Sequence, residues 1–116
     1  MLTVVNLTRG EVLAGRVEPA LFFWRRLRGL LGCRLLSPGE GLLLEPCRSV
    51  HTFFMRFPID VVFYDDAGRV VAVFPGLAPF RFTPVVRSAR GVIELPAGTL
   101  ARTRTRAGDL LRFEEC

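Results

Sequence analysis

The chain has 116 residues, half of them apolar and ten of them Phe, and a net charge of +5. That length fits one domain that buries roughly two thirds of its unfolded surface, enough to fold without staples. No apolar run reaches the roughly 18–20 residues of a membrane-spanning helix, and Met1–Leu7 has neither the positive n-region nor the apolar h-region of a signal peptide, so a cytoplasmic location is expected.

In chain order, Leu2–Leu7 alternates as a strand, Thr8-Arg9-Gly10 turns, and Glu11–Val17 returns, which predicts an N-terminal hairpin. Pro19 then sits where proline suits the first turn of a helix. From Ala20 to Leu31, Phe23, Leu27 and Leu30 recur at helical spacing, with Ala20, Trp24 and Leu31 widening the stripe and Arg25, Arg26 and Arg28 opposite it. Gly32 is the expected C-cap. Ser37–Gly41 is a loop by composition, and Leu42–Glu45 a short buried strand stopped by Pro46. The clearest hairpin joins Asp60–Tyr64 to Arg69–Phe74 through Asp65-Asp66-Ala67-Gly68, with Asp and Gly where a type I turn closed by a left-handed residue wants them. Pro75–Pro84 reads as loop, with Phe80 and Phe82 flanking Arg81. Val92–Leu95 is a strand ended by Pro96, Pro96–Thr99 a turn or short helix, and Leu110–Glu114 a last strand after Ala107-Gly108-Asp109. The fold class expected is α+β: a β-rich single domain, a curled sheet or partial barrel of short, mostly antiparallel strands packed on one main helix.

Several separated motifs, in order, carry a resemblance to a known family. Gly29-Leu30-Leu31-Gly32, Gly41–Cys47, Val50–Phe63, Val92–Thr99 and Gly108-Asp109 together resemble the prokaryotic family catalogued as domain of unknown function 192, over about Trp24 to Phe113. The resemblance implies a compact, β-rich α+β domain with barrel-like curvature, and it implies no activity. The resemblance implies that the family pattern retains the residue types found at His51, Asp60 and Glu94.

The stretch from Cys47 to Tyr64 centres on the only histidine, His51. An imidazole together with Asp60 and Glu94 would bind a polar ligand or move protons, because burial or a nearby carboxylate brings a His into its working range. Glu94 lies between Ile93 and Leu95 in an apolar run, where a carboxyl is either turned to solvent or desolvated and perturbed. The expected ligand-binding residues are His51, Met55, Asp60 and Glu94, with Phe54 and Phe57 as apolar wall and a small polar ligand or a protein segment as partner. An acid/base enzyme using His51 with Asp60 or Glu94 is the alternative.

Other chemistries are less well supported. Cys47, His51 and Met55 are metal-ligand types at i, i+4 and i+8, but blue copper needs two His with a Cys, and a structural zinc site wants four Cys or His in paired short spacings. No metal or cofactor is therefore expected. Cys33, Cys47 and Cys116 form no CxxC pair, and there is no GxSxG, glycine-rich phosphate loop or HExxH. All sixteen basic residues are Arg, and Gly76–Arg112 holds seven of them against Glu94 and Asp109. If extended, Arg102-Thr103-Arg104-Thr105-Arg106 would align three guanidiniums for nucleic acid, the second alternative; a solvated surface is the plainer reading.

Overall fold

The computed structural model describes residues 1–19, 36–52 and 56–115. The helix expected over 20–31, Met55, Phe54, Cys33 and Cys116 lie outside the described residues. Seven strands run as β1 (Leu2–Asn6), β2 (Glu11–Pro19), β3 (Glu40–Leu44), β4 (Ile59–Tyr64), β5 (Val70–Leu77), β6 (Gly91–Pro96) and β7 (Leu111–Glu115), with a short helix α1 (Thr99–Thr103) between β6 and β7. They form one sheet in the order β5-β4-β6-β3-β2-β1-β7. Every pair is antiparallel except β2–β3, where Val17 lies beside Gly41 and Glu18 beside Leu42.

The sheet curls until its edge strands touch at one end. Arg69 and Leu110 form a bridge, the Val70 N–H donates to the Asp109 carbonyl at 2.8 Å, and the Leu111 N–H donates to the Gly68 carbonyl at 2.8 Å. This closure depends on Gly68: its φ is +83°, and a Cβ there would stand 2.9 Å from the Leu111 carbonyl oxygen. The β4–β5 turn is held by Asp65, whose Oδ1 accepts the N–H groups of Ala67 and Arg69.

Two apolar clusters follow from this geometry. The inner one draws Val4, Leu13, Val17, Val62, Ile93 and Leu95 from around the curl, with Leu100 of α1 set into it. The other lies on the opposite face of β3, β4 and β6, where Leu42, Val61, Phe63 and Val92 meet Val50 and Ala89 from the loops. Strands β4 and β6 are buried on both faces, which is why they read as continuous apolar runs and not as alternating ones. Polar groups at the curl's end are tied together: the Asn6 side chain donates to Thr105 and Asp109, and the Arg9 guanidinium reaches Asp109 at 3.1 Å.

Three local expectations are corrected. Strand β5 continues through Pro75 and Gly76 to Leu77; β5 is an edge strand, where a missing N–H is tolerated. Pro19 ends β2, where it pairs with Leu43. The 102–106 stretch is not extended: α1 covers Arg102, whose guanidinium donates to the carbonyls of Val12 and Leu13, and Arg104 turns the chain with φ +57°. No helix among the described residues is long and apolar enough to cross a membrane.

Candidate functional site

Strand alternation decides where Glu94 goes. Its neighbours Ile93 and Leu95 face the inner cluster, so Glu94 shares the opposite face with Val92. Register places Leu42 of β3 on one side of it and Val61 of β4 on the other, both fully buried. The carboxyl is only 4 % exposed, and it makes no hydrogen bond or ion pair with any partner among the described residues. Desolvation pushes its pKa from 4.5 up to about 7. More than nine in ten buried polar groups in proteins are bonded, so an isolated buried carboxyl is a marked exception.

Cys47 belongs to the same face, packed against the cluster that holds Val92. Its thiol donates to the Ser49 carbonyl at 3.0 Å. Burial raises its pKa and the charge of Glu94 raises it further, outweighing the Ser49 contact, so the group is a neutral thiol and a poor nucleophile.

His51 is exposed and forms a bridge with Phe82. It stands between Val50, which packs into the cluster on the Glu94 face, and Thr52, which is wholly buried. Thr52 organises this rim: its hydroxyl donates to the Ala78 carbonyl at 2.6 Å and accepts the Arg81 N–H at 2.9 Å. Nothing in the sequence singled Thr52 out, because a threonine in a loop carries no pattern until its partners are known.

Asp60 is placed elsewhere. It faces the inner side of β4, 1 % exposed, with Oδ1 accepting the Gly76 N–H and Oδ2 the Leu100 N–H, each at 2.8 Å. Asp60 and Glu94 therefore lie on opposite faces of the sheet and are not brought together. Asp60 fastens β5 and the start of α1 to β4. Among the described residues no three His, Cys, Asp or Glu side chains gather as a metal site.

A second polar chain lies at the end of β3. The Tyr64 hydroxyl donates to Glu45 Oε2 at 2.6 Å, Arg90 Nε donates to Glu45 Oε1 at 3.0 Å, and Arg90 also reaches Asp66 at 3.4 Å. Burial and then the Glu45 carboxylate hold the Tyr64 hydroxyl well above its ordinary pKa, so it stays a donor.

Relatives and solved structures resemble the whole chain. A UPF0127 protein of Thermococcus gammatolerans is 35 % identical over 96 % of this chain and 74 % of its own length. One from Pyrococcus abyssi is 32 % identical over 97 % of this chain and 98 % of its own length. A crystal structure of a protein of unknown function from Novosphingobium aromaticivorans superposes with a TM-score of 0.71 at 21 % identity, covering 96 % of this chain and 82 % of that one. Another, from Sinorhizobium meliloti and described as a candidate transcription regulator, gives 0.72 at 22 % identity over 97 % and 91 %. Likeness at these identities establishes the fold alone. The family model described as DUF192, Uncharacterized ACR, matches residues 4–113, and the chain belongs to that family.

Proposed function

We propose that the chain is a small ligand-binding domain whose anchor is Glu94. The observation that supports it is the buried carboxyl with no partner among the described residues, set between Leu42 and Val61 on an apolar face. Such a group is a spare acceptor, and satisfying it from outside recovers the desolvation that folding imposed. The complementary ligand is a small molecule with an apolar body and one hydrogen-bond donor, of which a primary amine is the strongest. His51 stands at the rim of this face, and Phe57, packed against the same cluster, would supply wall. Asp60 has no part in it, since both of its oxygens already accept backbone N–H groups.

The test is a thermal-shift screen of small primary amines and alcohols on the native chain, Glu94→Leu and His51→Ala. A binder should raise the melting temperature of the native protein and leave Glu94→Leu unmoved, with His51→Ala intermediate. An equal ligand shift in Glu94→Leu, or no shift across the panel, rejects the proposal.

One observation favours a second reading. A carboxyl with a pKa of about 7 is poised for general acid–base catalysis near neutrality. Turnover whose pH profile loses its limb near 7 in Glu94→Gln would distinguish catalysis from binding.

A further inference from the structure

A second surface, bordering the Glu94 face through Val50 and Val86, is built where residues 46–52 and 78–90 pair. The Thr52 N–H donates to the Arg81 carbonyl at 2.8 Å, the Thr83 N–H to the Val50 carbonyl at 2.9 Å, and the Val86 N–H to the Arg48 carbonyl at 2.7 Å. The two segments thus form a hydrogen-bonded ladder. It holds three apolar side chains out in water: Phe80 is 70 % exposed, Phe82 73 % and Val85 65 %. Phe80 does so with φ +62°, a backbone region that a bulky side chain rarely adopts. The Thr52 carbonyl, accepting the Phe80 N–H at 3.2 Å, and the Thr52 hydroxyl, accepting the next N–H along, keep it there.

Charge on this ladder has one sign. Neither segment contains an Asp or Glu, while Arg48, Arg81 and Arg87 are exposed and bond no carboxylate among the described residues. Beside the ladder a surface depression of about 880 Å³ opens between Arg48, Arg87, Ser88 and Arg90. Its acids, Glu45 and Asp66, are both bonded to Arg90.

We propose that this face binds single-stranded nucleic acid, the phenylalanine rings taking bases and Arg48, Arg81 and Arg87 taking phosphates. The pattern selects the occupant. Exposed rings at Phe80 and Phe82 stand beside the exposed Arg81 and carboxylate-free Arg48 and Arg87, the combination of stacking platforms and cations by which proteins hold single strands. A bilayer instead separates its apolar and charged layers by depth, which suits an apolar tip above a basic collar. A duplex keeps its base faces stacked inside and would leave both rings without a contact. An acidic peptide would answer the guanidiniums but not the exposed rings.

The experiment is fluorescence anisotropy of labelled oligo(dT) and oligo(U) with the full chain, against a hairpin duplex and against phosphatidylglycerol vesicles, at several salt concentrations. Single strands should bind with an affinity that falls steeply with salt, and the hairpin more weakly. Phe82→Ala and Phe82→Leu should each weaken binding by roughly tenfold, since base–ring stacking carries about 1–3 kcal/mol per base. The leucine variant keeps apolar area and loses only the ring. Arg48→Ala with Arg87→Ala should lower the slope of log affinity on log salt by about 1.4, from about 0.7 for each phosphate neutralised on a single strand. Arg112→Ala on β7, already paired with Glu114, should change nothing. All of these side chains are exposed, and an unchanged melting temperature verifies that each variant folds. The proposal is overturned by no anisotropy change up to about 100 µM protein at low salt. Equal binding of the hairpin, full affinity in Phe82→Leu, or capture by vesicles without oligonucleotide binding would overturn it equally.

Discussion

Replacing Glu94 by Gln should remove the loss of stability that the native chain suffers as pH rises from about 4.5 to 7. The unfolded carboxyl titrates near 4.5 and the folded one at about 7, so the folded chain holds a proton that the unfolded chain has released between those values. Below 4.5 both states are protonated and burial carries no ionisation penalty. As pH rises through the window the native state loses ground, and above 7 the loss is complete. At about 1.4 kcal/mol for each pH unit, a displacement from 4.5 to about 7 corresponds to about 3 kcal/mol. For a chain of this size that is roughly 10 °C in melting temperature. Glutamine resembles the protonated acid in shape and cannot ionise, so the variant lacks this term.

Urea unfolding of both proteins at half-unit steps from pH 4.5 to 8 measures it. The variant should gain on the native protein steadily to about pH 7 and then hold constant. Other titrating groups cancel in that difference: Asp109, for one, is held below its ordinary pKa because the bonds from Asn6, Arg9 and Arg106 outweigh burial, and it loses stability only as pH falls toward the acid range. A gap between the two proteins that does not change from pH 4.5 to 8 would refute the reasoning.

Asp60→Ala should lose about 2–4 kcal/mol, because two backbone N–H groups on β5 and α1 lose a charged acceptor; the unfolding midpoint in urea measures it, and protection of the Leu100 amide should fall first. Thr52→Val removes the hydroxyl that ties residues 78 and 81 and should cost about 1–2 kcal/mol, read as faster amide exchange at Arg81 with little change in the strands. Gly91→Ala sets a Cβ 2.5 Å from the Tyr64 hydroxyl and 2.9 Å from the Leu44 carbonyl, so it should destabilise by about 1–3 kcal/mol. Tyr64→Phe in the same chain should recover only part of that loss in thermal unfolding, because the backbone carbonyl cannot move aside as a side chain can.

Local chemistry was legible in the sequence wherever a single residue type enforces a conformation. Asp65 and Gly68 announced the β4–β5 turn, and both hold it as expected. Partners distant in sequence were not legible. Strand β5 runs past Pro75 because Asp60, sixteen residues from Gly76, takes the Gly76 N–H. The parallel pairing of β2 with β3 was not legible either, because hydrophobic pattern carries no strand direction. Glu94 stood out as an acid in an apolar run, but the face it occupies follows from the cross-strand register with Leu42 and Val61. Asp60 looked equally conspicuous; its oxygens proved to be consumed by backbone donors.

The contrast between the two faces of one sheet gives Glu94 its weight. On the inner face, Asn6, Asp60, Thr103 and Asp109 are all buried, and each is bonded. Folding there follows the general rule that interior polar groups are matched. On the other face a carboxyl is buried just as deeply without a match among the described residues. Composition is no obstacle to one, since the chain carries sixteen Arg and Arg48, Arg81 and Arg87 belong to loops packed on that face through Val50 and Val86. A guanidinium against Glu94 would remove the instability and lower its pKa into the ordinary range. It would also occupy the acceptor on which the proposed binding role rests. The proposed binding or proton-transfer role needs Glu94 to stay without a match, and the predicted gain of stability in Glu94→Gln above pH 7 measures the folding free energy that burying its carboxylate costs.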